Sequence, residues 1–280
     1  MTMGAEGTER VGLRGALGLG RYQDEAQEHD EPRAPQSKAR RRLRLALRIS
    51  KVLLVVVVAA VAAAVGLLFV FTPSAGQASQ IVREQAAGHH IAYPGPPVPS
   101  QFAKALIATE DHRFYTNPGV DPLALGRVLA AKIGGKQDQG GSTIAQQLAK
   151  MLYTPGSSGF ATELEQVTLA MKLNMTYTKT QILQMYSEVA YYGHGYYGLE
   201  QSSCGYFGHP PQDLTLVQAA MLAGAVNAPT YDDPLVYPAR ARARLVHVLA
   251  RMEAVGYLTK AQQQQALNQP LDLPATRGCP

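Results

Sequence analysis

The sequence predicts an all-α domain that follows a single membrane-spanning helix. From Ser100 onward, apolar residues recur at intervals of three and four, which is the period of an amphipathic helix. Short Gly/Pro breaks separate these stretches, and no run of alternating β-branched residues indicates a sheet. Upstream, the twenty residues from Val52 to Phe71 carry no charge. At about 1.5 Å per residue they are long enough to cross a hydrocarbon core of roughly 30 Å.

Composition and charge divide the chain into six segments. Basic residues that precede an apolar span favour a cytoplasmic N-terminus, so the later residues are expected outside the cell. A cleaved signal peptide is the alternative, but the apolar run is long for one and begins some fifty residues into the chain. The predicted segments are a disordered tail (1–37), a basic juxtamembrane segment (38–51), a transmembrane helix (52–71), a linker (72–96), a helical domain (97–256) and a C-terminal helix with a tail (257–280).

Seven stretches show the helical period most clearly. They end at Gly, Pro or capping residues, as helices in globular domains do. The predicted helices are Gln101–Tyr115, Leu123–Ile133, Thr143–Tyr153, Ala161–Met175, Lys179–Glu188, Thr215–Val226 and Tyr237–Gly256.

The excess of positive charge does not indicate nucleic-acid binding. The net charge is +5 and the pI is about 9.1, but many basic residues lie between Arg33 and Lys51, directly before the apolar run. That position indicates membrane orientation, so no nucleic-acid partner is expected. The only cysteines, Cys204 and Cys279, form no C-x-x-C pair, which excludes a common kind of zinc site and leaves one disulfide as an open option.

Two stretches are candidates for chemistry. In QFAKALIATEDHRF, residues Phe102, Leu106, Glu110 and Phe114 recur every four positions, and partial desolvation makes a carboxylate such as Glu110 a better proton acceptor. A solvated Glu near a helix end is the alternative.

In QGGSTIAQQLAK, a Gly-Gly turn precedes a helix whose uncapped N–H groups would attract an anion. The polar face of this helix carries Thr143, Gln146, Gln147 and Lys150. An ordinary capped amphipathic helix is again the alternative. A later stretch rich in Tyr and Gly, Tyr186–Gly208, suits either sugar stacking or core packing, and His194 within it is not assigned a catalytic role.

The order of these motifs is more specific than any one of them. ATEDHRFYTNPGVD, GGSTIAQQLAK, TKTQILQMYSEVAYYGHGYYGLEQSSCGYFG and LTLVQAAMLAGAVNAPTYDDP occur in that order, and the chain from about Pro97 to Gly256 resembles the family 51 glycosyltransferases. These are the monofunctional peptidoglycan transglycosylases and the glycosyltransferase domains of class A penicillin-binding proteins. The resemblance implies a lysozyme-like, two-lobed fold that polymerises lipid II by inverting transfer, with undecaprenyl pyrophosphate as leaving group.

The resemblance also implies roles for individual residues. Glu110 occupies the position of the general base, and Asp111 and Phe114 match the same motif. A divalent cation, Mg²⁺ or Mn²⁺, can assist at the donor pyrophosphate in this family. The expected partners are the membrane, lipid II, the lipid-linked glycan and other cell-wall synthesis proteins. Residues that match positions lining the donor site are Ser142, Thr143, Gln146, Gln147 and Lys150.

The chain departs from the family pattern at three places. Asn117 replaces a His in the first motif, and Tyr186-Ser187-Glu188 replaces Tyr-Leu-Asn. The Arg-Lys-x-x-Glu stretch is TELEQ here, so Thr162 and Glu163 stand at the two cationic positions and Gln166 at the second acidic position.

Glu165 or Glu163 could supply the missing carboxylate. The TELEQ stretch therefore also fits a catalytically impaired homologue that binds lipid II or a cell-wall synthase. A lytic muramidase on the same fold is the other alternative, because it too needs a Glu in an apolar cleft.

Overall fold

The computed structural model describes residues 36–124, 126–127 and 141–273. Compact packing divides the chain into two units, Met1–Ala59 and Ala60–Pro280. Most of the predicted N-terminal tail and the end of the predicted C-terminal tail lie outside the described residues. Most of the predicted helix at 123–133 lies outside them as well, and so do Gly140 and Cys279. Cys204 is disulfide-bonded.

The described residues are helical, with no β-strand beyond an isolated bridge between Tyr191 and Tyr197, so the all-α prediction is confirmed. Single 3-10 turns cover Ala75–Gln77 and Pro211–Asp213. The named α-helices are α1 (Gln36–Phe71), α2 (Ala78–Gly88), α3 (Ser100–Glu110), α4 (Ile144–Tyr153), α5 (Phe160–Thr176), α6 (Lys179–Val189), α7 (Leu199–Phe207), α8 (Leu216–Ala225), α9 (Pro238–Ala254) and α10 (Lys260–Leu267).

Helix α1 contains both the basic segment and the apolar run. Within the described part of the chain, it is the one helix long and apolar enough to cross a membrane, and its apolar residues are exposed. The basic and apolar stretches form one continuous helix because neither contains a proline.

The segment predicted as a linker, 72–96, differs from that expectation. It contains α2, which buries Ala78, Val82 and Ala86 against the domain. Their spacing of four residues forms one apolar stripe. The connection after α1 is also held, because the Lys172 ammonium donates to the carbonyl oxygens of Thr72 at 2.8 Å and Pro73 at 3.1 Å.

Helices of the second unit pack in two groups around a common core. In one group, α3 and α10 each contact both α8 and α9; the other group consists of α2, α4, α5 and α6. Helix α7 contacts both groups, through α6 and α8. Four helices, α4, α6, α8 and α10, begin with a complete Thr/Gln capping box, which defines their starts. Helix α3 ends at the junction between the two groups, and its last residue is Glu110.

Candidate active site

The Glu110 carboxylate is held from both packing groups. Gln147 of α4 donates its Nε2 to Oε2 at 2.8 Å, and Arg244 of α9 donates a guanidinium N–H to Oε1 at 3.0 Å. The Glu110 side chain is 6% exposed. Two donors therefore fix the carboxylate in one orientation, with each oxygen accepting a hydrogen bond.

The orientation of the Gln147 amide is itself fixed. The hydroxyl of Tyr186 donates to Gln147 Oε1 at 2.8 Å, which turns the amide nitrogen toward Glu110. Burial raises the pKa of Tyr186 well above its usual value, so the phenol remains a hydrogen-bond donor at neutral pH. Tyr186 therefore donates a hydrogen bond to Gln147, and Gln147 donates one to the Glu110 carboxylate.

Arg244 contacts Glu110, and it was not among the site residues predicted from the sequence. It lies 134 residues from Glu110 in the chain, and its Nε also donates to the Gly224 carbonyl oxygen at 3.1 Å. A side chain at position 224 would meet the Arg244 stem, since an added Cβ would lie 2.9 Å from its Cγ. Arg244 is thus the cation that contacts Glu110, at 3.0 Å. Burial, followed by the charge of Arg244, lowers the pKa of the neighbouring His247.

Two residues predicted to bind substrate, Asp111 and Phe114, face the protein interior. Asp111 is 5% exposed and accepts hydrogen bonds from the Asn117 side chain at 2.8 Å and the Ile144 N–H at 3.2 Å. Burial raises the pKa of Asp111, while these two bonds act in the opposite direction. Phe114 is fully buried beneath the Lys179 ammonium. Both side chains are thus buried shortly after Glu110 in the chain and stabilise the protein there.

Phe114 also lies beyond the end of α3. The predicted helix continues to Tyr115, whereas the structure ends it at Glu110, with Asp111 in a non-helical conformation. Glu110 and Phe114 therefore do not share a helical ridge. Glu110 is desolvated by tertiary packing rather than by apolar neighbours on its own helix.

The start of α4 differs from the predicted anion site. Thr143 and Gln146 bond to each other in a capping box, and the Thr143 hydroxyl donates to the Gly119 carbonyl oxygen at 2.6 Å. The first helical N–H, that of Ile144, is bound by Asp111. A carboxylate of the protein therefore occupies the place that an external anion was expected to take, while Ser142 remains exposed.

A cavity of about 360 Å³ begins one helical turn further along α4. Lys150 lines it from α4, three residues after Gln147, and Glu188 lines it from the end of α6, two residues after Tyr186. Lys150 is exposed and lines this cavity, so its ammonium can meet an anionic ligand there. His89, Tyr191 and Tyr197 supply an aromatic wall.

Gln166 lies near the other end of α4. Its Nε2 donates to the Thr154 hydroxyl at 2.8 Å. Thr154 follows Gln147 by seven residues, or roughly 10 Å along the helix axis. Glu165, the alternative acid, is half-buried. Among the described residues, no group of three or more His, Cys, Asp or Glu side chains could hold a metal ion.

Comparison with known proteins agrees with this arrangement. The model of the transglycosylase family matches residues 78–253, a range that begins at the start of α2 and includes every site residue named above. A protein of Cupriavidus necator whose name assigns it to the transglycosylases is 35% identical over 176 residues, covering 63% of this chain and 76% of that protein.

Longer relatives match over the same region. Penicillin-binding protein 1A of Aquifex aeolicus is 38% identical over 175 residues, covering 62% of this chain and 24% of its own length. Penicillin-binding protein 1B of Vibrio cholerae is 37% identical over 183 residues, covering 64% and 24%. The chain thus spans about a quarter of the penicillin-binding proteins it matches. It belongs to the transglycosylase family, glycosyltransferase family 51, and its helical domain is of the peptidoglycan glycosyltransferase type.

Proposed function

We propose that this chain polymerises lipid II into glycan strands by inverting transfer. The observation that supports this most directly is the Glu110 carboxylate, which accepts hydrogen bonds on both oxygens. One of its donors, Gln147, lies one helical turn before Lys150, which lines the cavity. A fixed carboxylate beside a cation-bearing cavity suits removal of a proton from a sugar hydroxyl while an anionic group departs.

In the proposed step, Glu110 takes the proton from the 4-hydroxyl of the acceptor sugar. The hydroxyl oxygen then bonds to the anomeric carbon of the donor, and the bond from that carbon to the pyrophosphate oxygen breaks. The electron pair leaves with undecaprenyl pyrophosphate, and the configuration at the anomeric carbon inverts. Lys150 stabilises the charge on the departing pyrophosphate.

A divalent cation at the pyrophosphate is not needed for this proposal. The family's second acidic position holds Gln166, whose amide is engaged by Thr154. A neutral amide is a weaker ligand for Mg²⁺ or Mn²⁺ than a carboxylate. These residues do not fit a resident metal, and we derive no step through one.

The substrate requires the domain to lie outside the cell. We propose that α1 crosses the membrane with its basic end in the cytoplasm, in keeping with the Arg-rich stretch from Lys38 to Lys51. Protease added to spheroplasts should then remove a tag at residue 280 and spare a tag at residue 1. The reverse pattern would contradict the topology and with it access to lipid II on the outer leaflet.

The decisive experiment uses the detergent-purified full chain and labelled lipid II. The wild type should produce glycan chains, and Glu110→Gln should slow polymerisation by about 10²–10⁴-fold, because it removes the general base. Glu253→Gln is the matched control, since Glu253 is an exposed acid on α9. Equal activity of Glu110→Gln and the control would refute the proposed mechanism.

One observation favours a second candidate, a catalytically impaired homologue that binds lipid II or a cell-wall synthase. The TELEQ stretch places Thr162 and Glu163 where the family has two cations, and Gln166 where it has an acid. If the wild type binds lipid II without making glycan, and Gln166→Glu does not restore synthesis, this binding function replaces the enzymatic one.

A further inference from the structure

Glu188 is a buried acid in the cavity that adjoins the Glu110 site. It is 4% exposed, and it lines the same cavity as Lys150. A carboxylate is rarely buried to this extent unless it is paired or bonded. The hydrogen bonds of Glu188 therefore decide what its carboxylate can do in the cavity.

The hydrogen bonds to Glu188 engage one of its two oxygens. The Gly95 N–H at 3.0 Å and the Gln184 Nε2 at 2.5 Å both donate to Oε1. Within the part of the chain that the structure describes, Oε2 receives no hydrogen bond from the protein. One oxygen is thus anchored, and the other is left to accept a hydrogen bond from a cavity ligand.

The wall around Glu188 is aromatic. The rings of His89 and Tyr197 are stacked at a centroid distance of 3.6 Å, and Tyr191 lies 4.7 Å from Tyr197. Flat aromatic faces beside a carboxylate suit a ligand that has both an apolar face and outward hydroxyl or amide donors. A sugar ring has this combination.

The sequence shows an exchange of acidic positions around this cavity. Relative to the family pattern, the chain lacks an acid at Gln166 and has gained one at Glu188. Glu188 lines the cavity itself, whereas Gln166 bonds to Thr154, the residue before the cavity-lining Pro155. The carboxylate in the cavity therefore belongs to α6 and not to α5.

We propose that Glu188 binds substrate, with Oε2 accepting a hydrogen bond from a hydroxyl or acetamido N–H of the sugar carried by the lipid-linked pyrophosphate. The sugar ring lies against the Tyr191–Tyr197 wall, and the pyrophosphate lies toward Lys150. This assignment rests on the proposed function. It gives the chain a second acidic group in the active-site region without a carboxylate at position 166.

The test is Glu188→Gln in the full chain. The amide oxygen can still accept from Gly95 and Gln184, but the free acceptor oxygen becomes an amide donor. Loss of a hydrogen bond to a charged acceptor should raise the KM for lipid II about tenfold to a hundredfold, with a smaller change in kcat. The control is Glu200→Gln, which removes a half-buried carboxylate whose charge acts on Glu188 but which does not line the cavity.

Further measurements separate binding from folding. Glu188→Gln should melt within a few degrees of the wild type, and Glu188→Asn, which installs the family residue, provides a second variant if Gln unfolds the domain. A KM equal to that of Glu200→Gln in the folded variants would overturn the assignment and leave the proposed function intact. If the wild type makes no glycan, Kd for lipid II in detergent replaces KM. A wild type that neither polymerises nor binds lipid II would overturn both proposals.

Discussion

The contact between Arg244 and Glu110 predicts how the stability of the domain responds to mutation. Arg244→Gln removes a guanidinium 3.0 Å from Oε1 of a carboxylate whose side chain is 6% exposed. Two charges about 4 Å apart at an effective dielectric constant of about 20 interact by about 4 kcal/mol. Because the Arg244 side chain is 21% exposed, solvent reduces this energy, and we take about half of it.

That energy, about 2 kcal/mol, should be lost from the free energy of unfolding in Arg244→Gln, because the Glu110 carboxylate stays largely buried without its cation. Denaturant titration of the purified variants measures this loss. Arg242→Gln is the matched control, because Arg242 lies on the same helix, is exposed and donates to the Leu267 carbonyl oxygen instead. Equal losses in the two variants would refute the role given to Arg244.

Other consequences can be measured on the same preparation. Lys150→Ala should raise the KM for lipid II, because one charge-assisted hydrogen bond is worth about 1.5–3 kcal/mol, while the melting temperature stays unchanged. Lys172→Met should lower the free energy of unfolding by about 1–2 kcal/mol, since two carbonyl oxygens lose their donor, as denaturant titration would show. Gln166→Glu should increase the polymerisation rate mainly when Mg²⁺ is present, and equal rates with Mg²⁺ and with chelator would contradict this. Burial raises the pKa of the Glu188 carboxyl above its usual value of 4.5, so the folded protein holds this proton to higher pH than the unfolded chain does. The stability that the protonated carboxyl contributes is full below the unfolded-state pKa and is lost as pH rises through the folded-state pKa. The melting temperature of Glu188→Gln should therefore rise relative to that of the wild type between pH 4.5 and 7.

Local patterns predicted the helices well, because their signals lie within one helix. The apolar residues Ile144 and Leu148 are buried as the helical period requires, and Thr143 and Gln146 form a capping box, which agrees with the capped helix that was the alternative for this motif. Helix α7 was missed, because it lies in the Tyr/Gly-rich stretch that was not predicted as a helix. Helix α2 was also missed, although Ala78, Val82 and Ala86 carry the helical signal. The Gly/Pro-rich residues that follow α2 led to the prediction of a linker.

The contacts that define the site could not be predicted from such patterns. Asp111 bonds the N–H of Ile144 across 33 residues, and Arg244 reaches Glu110 across 134. Helical periodicity reports contacts between residues three or four apart and not contacts across such long separations. A polar residue at the end of a helix also gives the same sequence pattern whether it faces a ligand or another helix. At the start of α4, the sequence shows N–H groups that could bind an anion, but it does not show that the Asp111 carboxylate accepts a hydrogen bond from the N–H of Ile144.

The way Glu110 is held also bears on the choice between glycan synthesis and lysis. A muramidase uses its Glu as a general acid, which must carry a proton when the substrate binds. Here Gln147 donates to one oxygen of Glu110 and Arg244 donates to the other, so both oxygens act as hydrogen-bond acceptors. A general acid must offer an O–H donor, whereas a general base needs an acceptor oxygen, so these contacts suit the base of the proposed transfer. The guanidinium that α9 brings to this carboxylate is therefore an argument for the proposed glycan synthesis over lysis.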